Sequence, residues 1–132
     1  MWRPGTVIDS DGQFLCQHDT GLTTGHISGG SQLITFRFGW LGVVHEARPL
    51  PGESYKRYYY HRFALYDADF KLVKLSPPFV FHDRTIEFCA GMCWHPSTCG
   101  RDLVLSYGVK DECARLALVD AGEVEKFLWL HS

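Results

Sequence analysis

Residues 31–47 decide the fold, and they read SQLITFRFGWLGVVHEA. β-Branched and aromatic residues, which favour extended backbone, dominate this stretch. Gly39 interrupts it with a residue that suits a turn. The pattern predicts two strands, Ser31–Phe38 and Trp40–Ala47, joined by a tight hairpin around Phe38 and Gly39.

Short runs of the same kind follow along the chain, each bounded by Gly, Pro or Asp. A polar loop with two prolines is predicted over Arg48–Ser54. Further strands are predicted over Tyr55–Tyr66, Phe70–Leu75, Ile86–Trp94, Asp102–Gly108 and Cys113–Val119. Asp120 stands where a helix N-cap is expected, with Glu123 three residues on, so a short helix is predicted over Ala121–Leu128. The fold class is therefore all-β with one short C-terminal helix.

The predicted strands form two successive antiparallel meanders, each with about the length and strand count of a propeller blade. Ser76-Pro77-Pro78 separates them, because proline cannot donate to a strand ladder. We predict an N-terminal arm of unknown role over residues 1–25, a first blade-like meander over 26–76, and a second over 77–132 that includes the helix. Two blades do not close a ring, so the predicted fold is an incomplete propeller with open sheet edges.

The composition and net charge restrict the classes of partner that the chain is expected to bind. The chain has 132 residues, 45% apolar and 14% aromatic, which supports a buried core and excludes a disordered chain. Thirteen basic and fifteen acidic residues give a net charge of -2, so nucleic acid and anionic membranes gain no electrostatic support as partners. No apolar run approaches the ~20 residues of a membrane-spanning helix. The N-terminus lacks a signal-peptide pattern, so a cytoplasmic protein is expected.

Five cysteines, an odd number, occur without an export signal, so free thiols are expected rather than a disulfide framework. Cys89, Cys93, His95 and Cys99 are zinc ligand types. On one strand, however, Cys89 and Cys93 would lie on the same side and about 13 Å apart, too far to share a tetrahedral ion. Buried free thiols are predicted, with no metal and no cofactor.

Two pieces of sequence, Gly29–Ile34 and Gly39–Glu46, resemble the fourth blade of the five-bladed propellers of glycoside hydrolase family 130. The likeness covers roughly residues 26–128 and is closest to a divergent branch often attached to glycosyltransferases. It continues in order through Tyr60–Phe63, Pro77–Phe81, Ile86–Gly91 and Leu105–Asp111. Members of that family cleave β-mannosides, many by phosphorolysis, in which inorganic phosphate attacks the anomeric carbon. The resemblance implies a propeller-like fold and a carbohydrate-related function.

The resemblance implies roles for individual residues. His45 falls at the position of a phosphate-contacting histidine, although the family commonly has glycine where Glu46 follows it. His26 replaces a phosphate-binding lysine, and neutral imidazole is a weaker anion partner than ammonium. Asp111, after Tyr107-Gly108, matches a sugar-contacting aspartate. The family's general acid and its paired phosphate arginines belong to the first three blades, for which this chain has no residues.

The same positions also allow structural roles. His45 on an apolar strand could be a core histidine, and Asp111 suits a hairpin turn by composition alone. Glu87 lies on a strand that faces the central channel in the family. By its own position on an apolar strand it must face solvent, line a channel, or pair with a cation such as Arg62 or Arg115.

Ser31 and Gln32 follow Gly29 and Gly30, a pair that lets backbone approach a hydroxyl-rich ligand closely. The same pair is equally typical of a bulge or a turn. The candidate substrate-binding residues are therefore His26, Ser31, Gln32, His45, Glu87, Tyr107 and Asp111.

Three functions fit the sequence. The first is a carbohydrate-related module that binds mannose-type sugars weakly, without full catalytic machinery. The second is a glycoside phosphorylase or hydrolase whose site, with His45, Glu87 and Asp111, is completed by oligomerisation. The third is a structural or partner-binding protein that adds a strand at an open edge. Open edges favour association, so a homodimer or higher assembly is predicted, with a small carbohydrate or phosphate as the other candidate partner.

Overall fold

The computed structural model describes residues 6–8, 11, 13–17, 27–50, 52–82, 85–110 and 112–130. Its elements are β1 (Thr6–Ile8), β2 (Phe14–Gln17), β3 (Ile27–Gly29), β4 (Ile34–Phe36), β5 (Gly39–Leu50), β6 (Glu53–Tyr66), β7 (Leu72–Leu75), β8 (Glu87–Trp94), β9 (Asp102–Val109), β10 (Cys113–Asp120) and α1 (Ala121–Leu128). The all-β class, with antiparallel meanders and one short C-terminal helix, is confirmed. No helix in the described part of the chain is long and apolar enough to cross a membrane.

The first sheet has the order β3-β5-β6-β7, with β4 pairing further along β5, and every pair is antiparallel. Its long hairpin, β5 with β6, runs from the pair Trp40 and Tyr66 to the pair Leu50 and Glu53. The predicted loop over 48–54 is therefore wrong, because pairing continues almost to the turn. A register shift between Pro49 and Leu50 accommodates the proline, which has no N–H to donate.

The predicted strand Ser31–Phe38 is also wrong in its first half, because residues 30–33 separate β3 from β4. The backbone N–H groups of Gly30 and Ser31 both donate to the Val43 carbonyl at 3.0 Å. The Val43 N–H donates to Ser31 Oγ at 2.8 Å. A Cβ at Gly30 would lie 2.7 Å from the Val43 carbonyl oxygen, so this break requires glycine.

The second sheet has the order β10-β9-β8 and is antiparallel. A bulge between Cys89 and Gly91 shifts the register of β8 and reverses its alternation. Cys89 is therefore buried and Cys93 exposed, so the prediction that both face one side is wrong. Cys99 and Cys113 are exposed free thiols as well, and burial was predicted correctly only for Cys89 among the cysteines whose side chains are described.

The two sheets share one core. β8 packs against β4, β5 and β6, while α1 packs on β6 and β10. The N-cap of α1 is the predicted Asp120, whose carboxylate accepts the Glu123 N–H at 3.0 Å. The buried side chains come from both sheets and the helix: Phe36, Leu41, Val43, Phe63, Cys89, Met92, Leu103, Leu105, Ala121, Val124 and Leu128.

Residues 76–82 and Thr85, which lie between the two sheets in the sequence, run along β6. His61 and Phe79 exchange two backbone hydrogen bonds of 2.8 Å, and the Tyr59 N–H donates to the Thr85 carbonyl at 2.9 Å. The Ser76 hydroxyl accepts the Phe63 N–H at 2.9 Å. This connection continues the pairing of β6 beyond the short strand β7 and brings aromatic side chains between the sheets.

Candidate functional site

Three titratable side chains meet inside the molecule, and we name them the inner polar cluster: His45, His61 and Glu87. His45 on β5 and His61 on β6 are directly opposite in the hairpin register. Their ring centroids lie 6.3 Å apart. His61 Nε2 lies 3.9 Å from Glu87 Oε1, and both side chains are fully buried.

Glu87 anchors the connecting segment to β8. Its Oε1 accepts the Phe81 N–H at 2.9 Å, and its Oε2 accepts the His82 N–H at 2.8 Å. Each carboxyl oxygen thus accepts a backbone N–H, which offsets the cost of burying a polar group. Of the three alternatives for Glu87, exposure to solvent is excluded because the side chain is buried. The expected partner Arg62 lies 3.5 Å from Glu46 instead.

His61 lies among aromatic rings, with centroids 4.7 Å from Phe81 and 5.8 Å from Phe79. Burial, and to a smaller extent charge repulsion from His45, lowers the pKa of His61 from 6.5 to about 4. Neither ring nitrogen has a hydrogen-bond partner among the residues that the structure describes. His61 is therefore neutral at pH 7. The sequence analysis missed it, although the register of the β5–β6 hairpin would have placed it opposite His45.

His45 is half-buried and stacks on Tyr59, with 5.3 Å between ring centroids. Its edge-to-face neighbour is Phe88, at 5.4 Å. Burial lowers the pKa of His45, so the imidazole is a poor partner for phosphate. Glu46 lies on the opposite face, as alternation predicts, and contacts the guanidinium of Arg48 at 3.3 Å.

Ser31 and Gln32 act within the framework. Ser31 supplies the ladder acceptor for Val43 described above. Gln32 Nε2 donates to the Met92 carbonyl at 2.7 Å, and the Met92 N–H donates to Gln32 Oε1 at 3.3 Å. The Gln32 amide thus pairs with the edge of β8 as a neighbouring strand would.

The remaining sequence-predicted site residues are Tyr107, His26 and Asp111. Tyr107 is buried and stacks on Phe81, with 4.5 Å between centroids and 13° between planes. His26 and Asp111 lie outside the described residues. The structure therefore places His45 and Glu87 beside His61. Tyr107 stacks on Phe81, whose ring contacts His61. Ser31 and Gln32 contact Val43 and Met92 instead.

The outer face of the second sheet, opposite the buried side chains of β9, carries a shallow groove of about 450 Å³. Its lining residues are Phe88, Ala90, Ser106, Tyr107, Gly108, Ala114, Arg115 and Leu116. Beside the groove, Leu116 and Leu118 on β10 are 73% and 65% exposed. The exposure of these leucines was not predicted, because apolar residues occur on both faces of β10 and its sequence does not alternate between apolar and polar residues.

Within the described residues, no group of three or more His, Cys, Asp or Glu side chains is placed to hold a metal ion. No protein-family model matches the chain, and no curated protein matches it. The features of the described residues that can indicate a function are therefore the inner polar cluster, the outer groove and the sheet edges.

Proposed function

We propose that this protein is a self-associating module that binds a second copy of itself through the open edge of β10. The observation that carries the proposal is the contrast between β10 and the other sheet edges. An unpaired strand edge presents backbone donors and acceptors to another chain, and proteins that remain monomeric protect such edges.

The other edges of the two large sheets carry such protection. β7 has four residues, carries Lys74, and is followed by Pro77 and Pro78. The edge formed by β3 and β4 is broken by residues 30–33 into two strands of three residues each. The edge of β8 is engaged by the Gln32 amide.

β10 lacks these features. It has eight residues, pairs with β9 on one side, and is free of proline and lysine. Between Ala114 and Val119 its one charged residue is Arg115. Strand addition at such an edge gives affinity through main-chain hydrogen bonds. A second copy suits it because antiparallel self-pairing can bring its leucines together without opposing like charges.

Light scattering on the full chain across a range of concentrations tests the proposal. We expect the wild type to shift toward twice the chain mass as concentration rises. Leu118→Lys should remain a monomer, because it places a charge on the exposed side of β10. Val73→Lys is the matched control: it introduces the same charge at an exposed residue of β7 and should leave association unchanged.

Two results would contradict the proposal. One is a wild-type protein that stays monomeric at the highest concentrations reached. The other is equal loss of association in Leu118→Lys and Val73→Lys, which would show a general effect of added charge rather than pairing at β10.

We propose weak sugar binding in the outer groove as a second candidate function. The groove volume lies in the range of small-molecule sites, about 300–1,000 Å³. Phe88 offers a ring face to an apolar sugar face, and the Ser106 hydroxyl offers a hydrogen-bond donor. Tyr107, a sequence-predicted site residue, also lines it.

Amide chemical shifts recorded while mannose or mannobiose is added would test the groove. We expect shifts concentrated around Phe88 and Ser106, and their loss in Phe88→Ala. Phe38→Ala, at a hairpin tip 98% exposed, is the control and should retain them. Shifts that are absent, or spread evenly over the surface, would contradict sugar binding at this position.

A further inference from the structure

We infer that two copies pair antiparallel along β10 around a two-fold axis through Ala117, with Leu116 of each copy opposite Leu118 of the other. The inference rests on the proposed self-association and specifies its geometry. It yields a continuous six-stranded sheet, a common size for sheets in folded proteins.

The faces of the strand restrict the choice of register. A two-fold axis perpendicular to the sheet makes the strands antiparallel and keeps the outer face of both copies on one side. Residues directly opposite each other share a face, and faces alternate along a strand. On β10 the outer face holds Ala114, Leu116, Leu118 and Asp120, as their alignment with Gly108, Ser106, Val104 and Asp102 on β9 shows. The axis must therefore pass through a residue position, not between two residues.

Charge and length select among these positions. An axis through Arg115 would set the two guanidinium groups opposite each other. An axis through Ala114 or Leu118 lies near one end of β10, so at most five residues of each copy would pair. An axis through Leu116 would bring Glu112 of each copy opposite Asp120 of the other, an acid pair at both ends.

An axis through Ala117 avoids these repulsions. It pairs residues 114–120 and sets Arg115 opposite Val119, Leu116 opposite Leu118, and Ala117 opposite its own copy. Ala114 then faces Asp120, whose neighbour on β9 is Asp102. The two acidic residues at each end face a small neutral residue, so no like charges are opposed across the joint.

Cross-linking tests the axis. Cα atoms of directly opposite antiparallel residues lie about 4.5–5.5 Å apart, within the range that a disulfide spans. In a background with Cys93, Cys99 and Cys113 changed to serine, Ala117→Cys should form an intermolecular disulfide under mild oxidation, located by peptide mass spectrometry. Leu116→Cys is the matched control and should cross-link far more slowly, because it faces the second copy's Leu118.

A pair of charge variants tests the same register without oxidation. Ala114 is exposed, so charged substitutions there should leave the monomer folded. Ala114→Lys should tighten the dimer, because lysine would face Asp120 of the second copy, whereas Ala114→Asp should weaken it. Opposed charges occur twice per dimer, so we expect changes of about two- to thirty-fold in the dissociation constant, in opposite directions.

The outcomes separate this inference from the proposed function. Cross-linking through Leu116→Cys in preference to Ala117→Cys, with weaker dimers for both charges at Ala114, would move the axis to Leu116 and overturn the inference while self-association stands. A dimer that neither cysteine cross-links would overturn pairing at β10. A wild-type monomer would overturn the proposed function itself.

Discussion

Both faces of the second sheet carry large apolar side chains, but their surroundings are opposite. On the inner face Leu103, Leu105 and Met92 are buried against the first sheet and α1. On the outer face Phe88, Leu116 and Leu118 are exposed. Burying a large apolar side chain contributes about 1.5–3 kcal/mol, so the inner face stabilises the fold. The outer face gains the same kind of free energy only when another surface covers it.

Apolar residues of one short sheet can therefore contribute to two separate equilibria, the folding of one chain and the association of two chains. Leu105 contributes to the folding of one chain. Leu116, on the neighbouring strand and opposite face, is available for association between chains. Substitutions of the same type at the two positions should therefore affect different measurements.

The largest effect is expected on the inner face. Leu105→Ala removes a fully buried side chain from β9 and should lower the free energy of unfolding by about 2–5 kcal/mol. Urea denaturation followed by intrinsic fluorescence measures it. A loss below about 1 kcal/mol would contradict the assignment of Leu105 to the common core.

Acidification tests the contribution of His61, one of the buried polar side chains. The pKa of His61 is lowered from 6.5 to about 4, so the unfolded chain binds more protons than the folded one below pH 6.5. Stability should be full above pH 6.5 and fall as the pH drops toward 4. Each pKa unit corresponds to about 1.4 kcal/mol, so the loss should approach about 3 kcal/mol, increased by the lowered pKa of His45.

Denaturation of His61→Phe across the same pH range isolates this contribution. Phenylalanine is aromatic like the neighbouring Phe79 and Phe81 and does not titrate, so the variant should lose less stability between pH 6.5 and 4. His82→Gln, at an exposed side chain, is the control and should follow the wild type. Parallel curves for wild type and His61→Phe would refute the role assigned to His61.

Much of the fold could be predicted from local pattern. The strands from Asp102 onward and the helix beginning at Ala121 follow from turn residues and an N-cap, both of which act over a few residues. The Gly29-Gly30 pair allowed a bulge or a turn, but the extent of the break at residues 30–33 could not be predicted, because it depends on the Ser31 hydroxyl reaching Val43 across the sheet. Gly91 inside a strand pattern is a signal for a bulge, but the sequence does not show that the register shifts between Cys89 and Gly91 and so places Cys89 and Cys93 on different sides.

The candidate site was less predictable because its members meet only through the packing of two sheets. Glu87 was singled out as a carboxylate on an apolar strand, but its hydrogen bonds come from the connecting segment. To place His61 beside His45, the register of the β5–β6 hairpin had to be known. The exposure of β10 depends on which face the helix covers, and apolar residues on both faces give no alternation from which to predict it.

A smaller effect is expected at the protected edge of β8. Gln32→Ala removes the amide that pairs with Met92 and should lower the free energy of unfolding by about 1 kcal/mol, because solvent can replace part of the pairing. Lys71→Ala, in an exposed turn, is the control for surface truncation. Thermal denaturation compares the two. Equal stability would mean that the Gln32 amide contributes nothing measurable to this edge.

The smallest effect on folding is expected on the outer face. Leu116→Ala should change the free energy of unfolding by no more than about 0.5 kcal/mol when measured at concentrations where the chain is monomeric, because Leu116 is mostly exposed. The same variant should weaken association, since each dimer loses two leucine contacts. Denaturation and light scattering on Leu116→Ala and Leu105→Ala would then give opposite patterns. A loss of folding stability in Leu116→Ala as large as that in Leu105→Ala would place the outer face in the core and remove the distinction between the two faces.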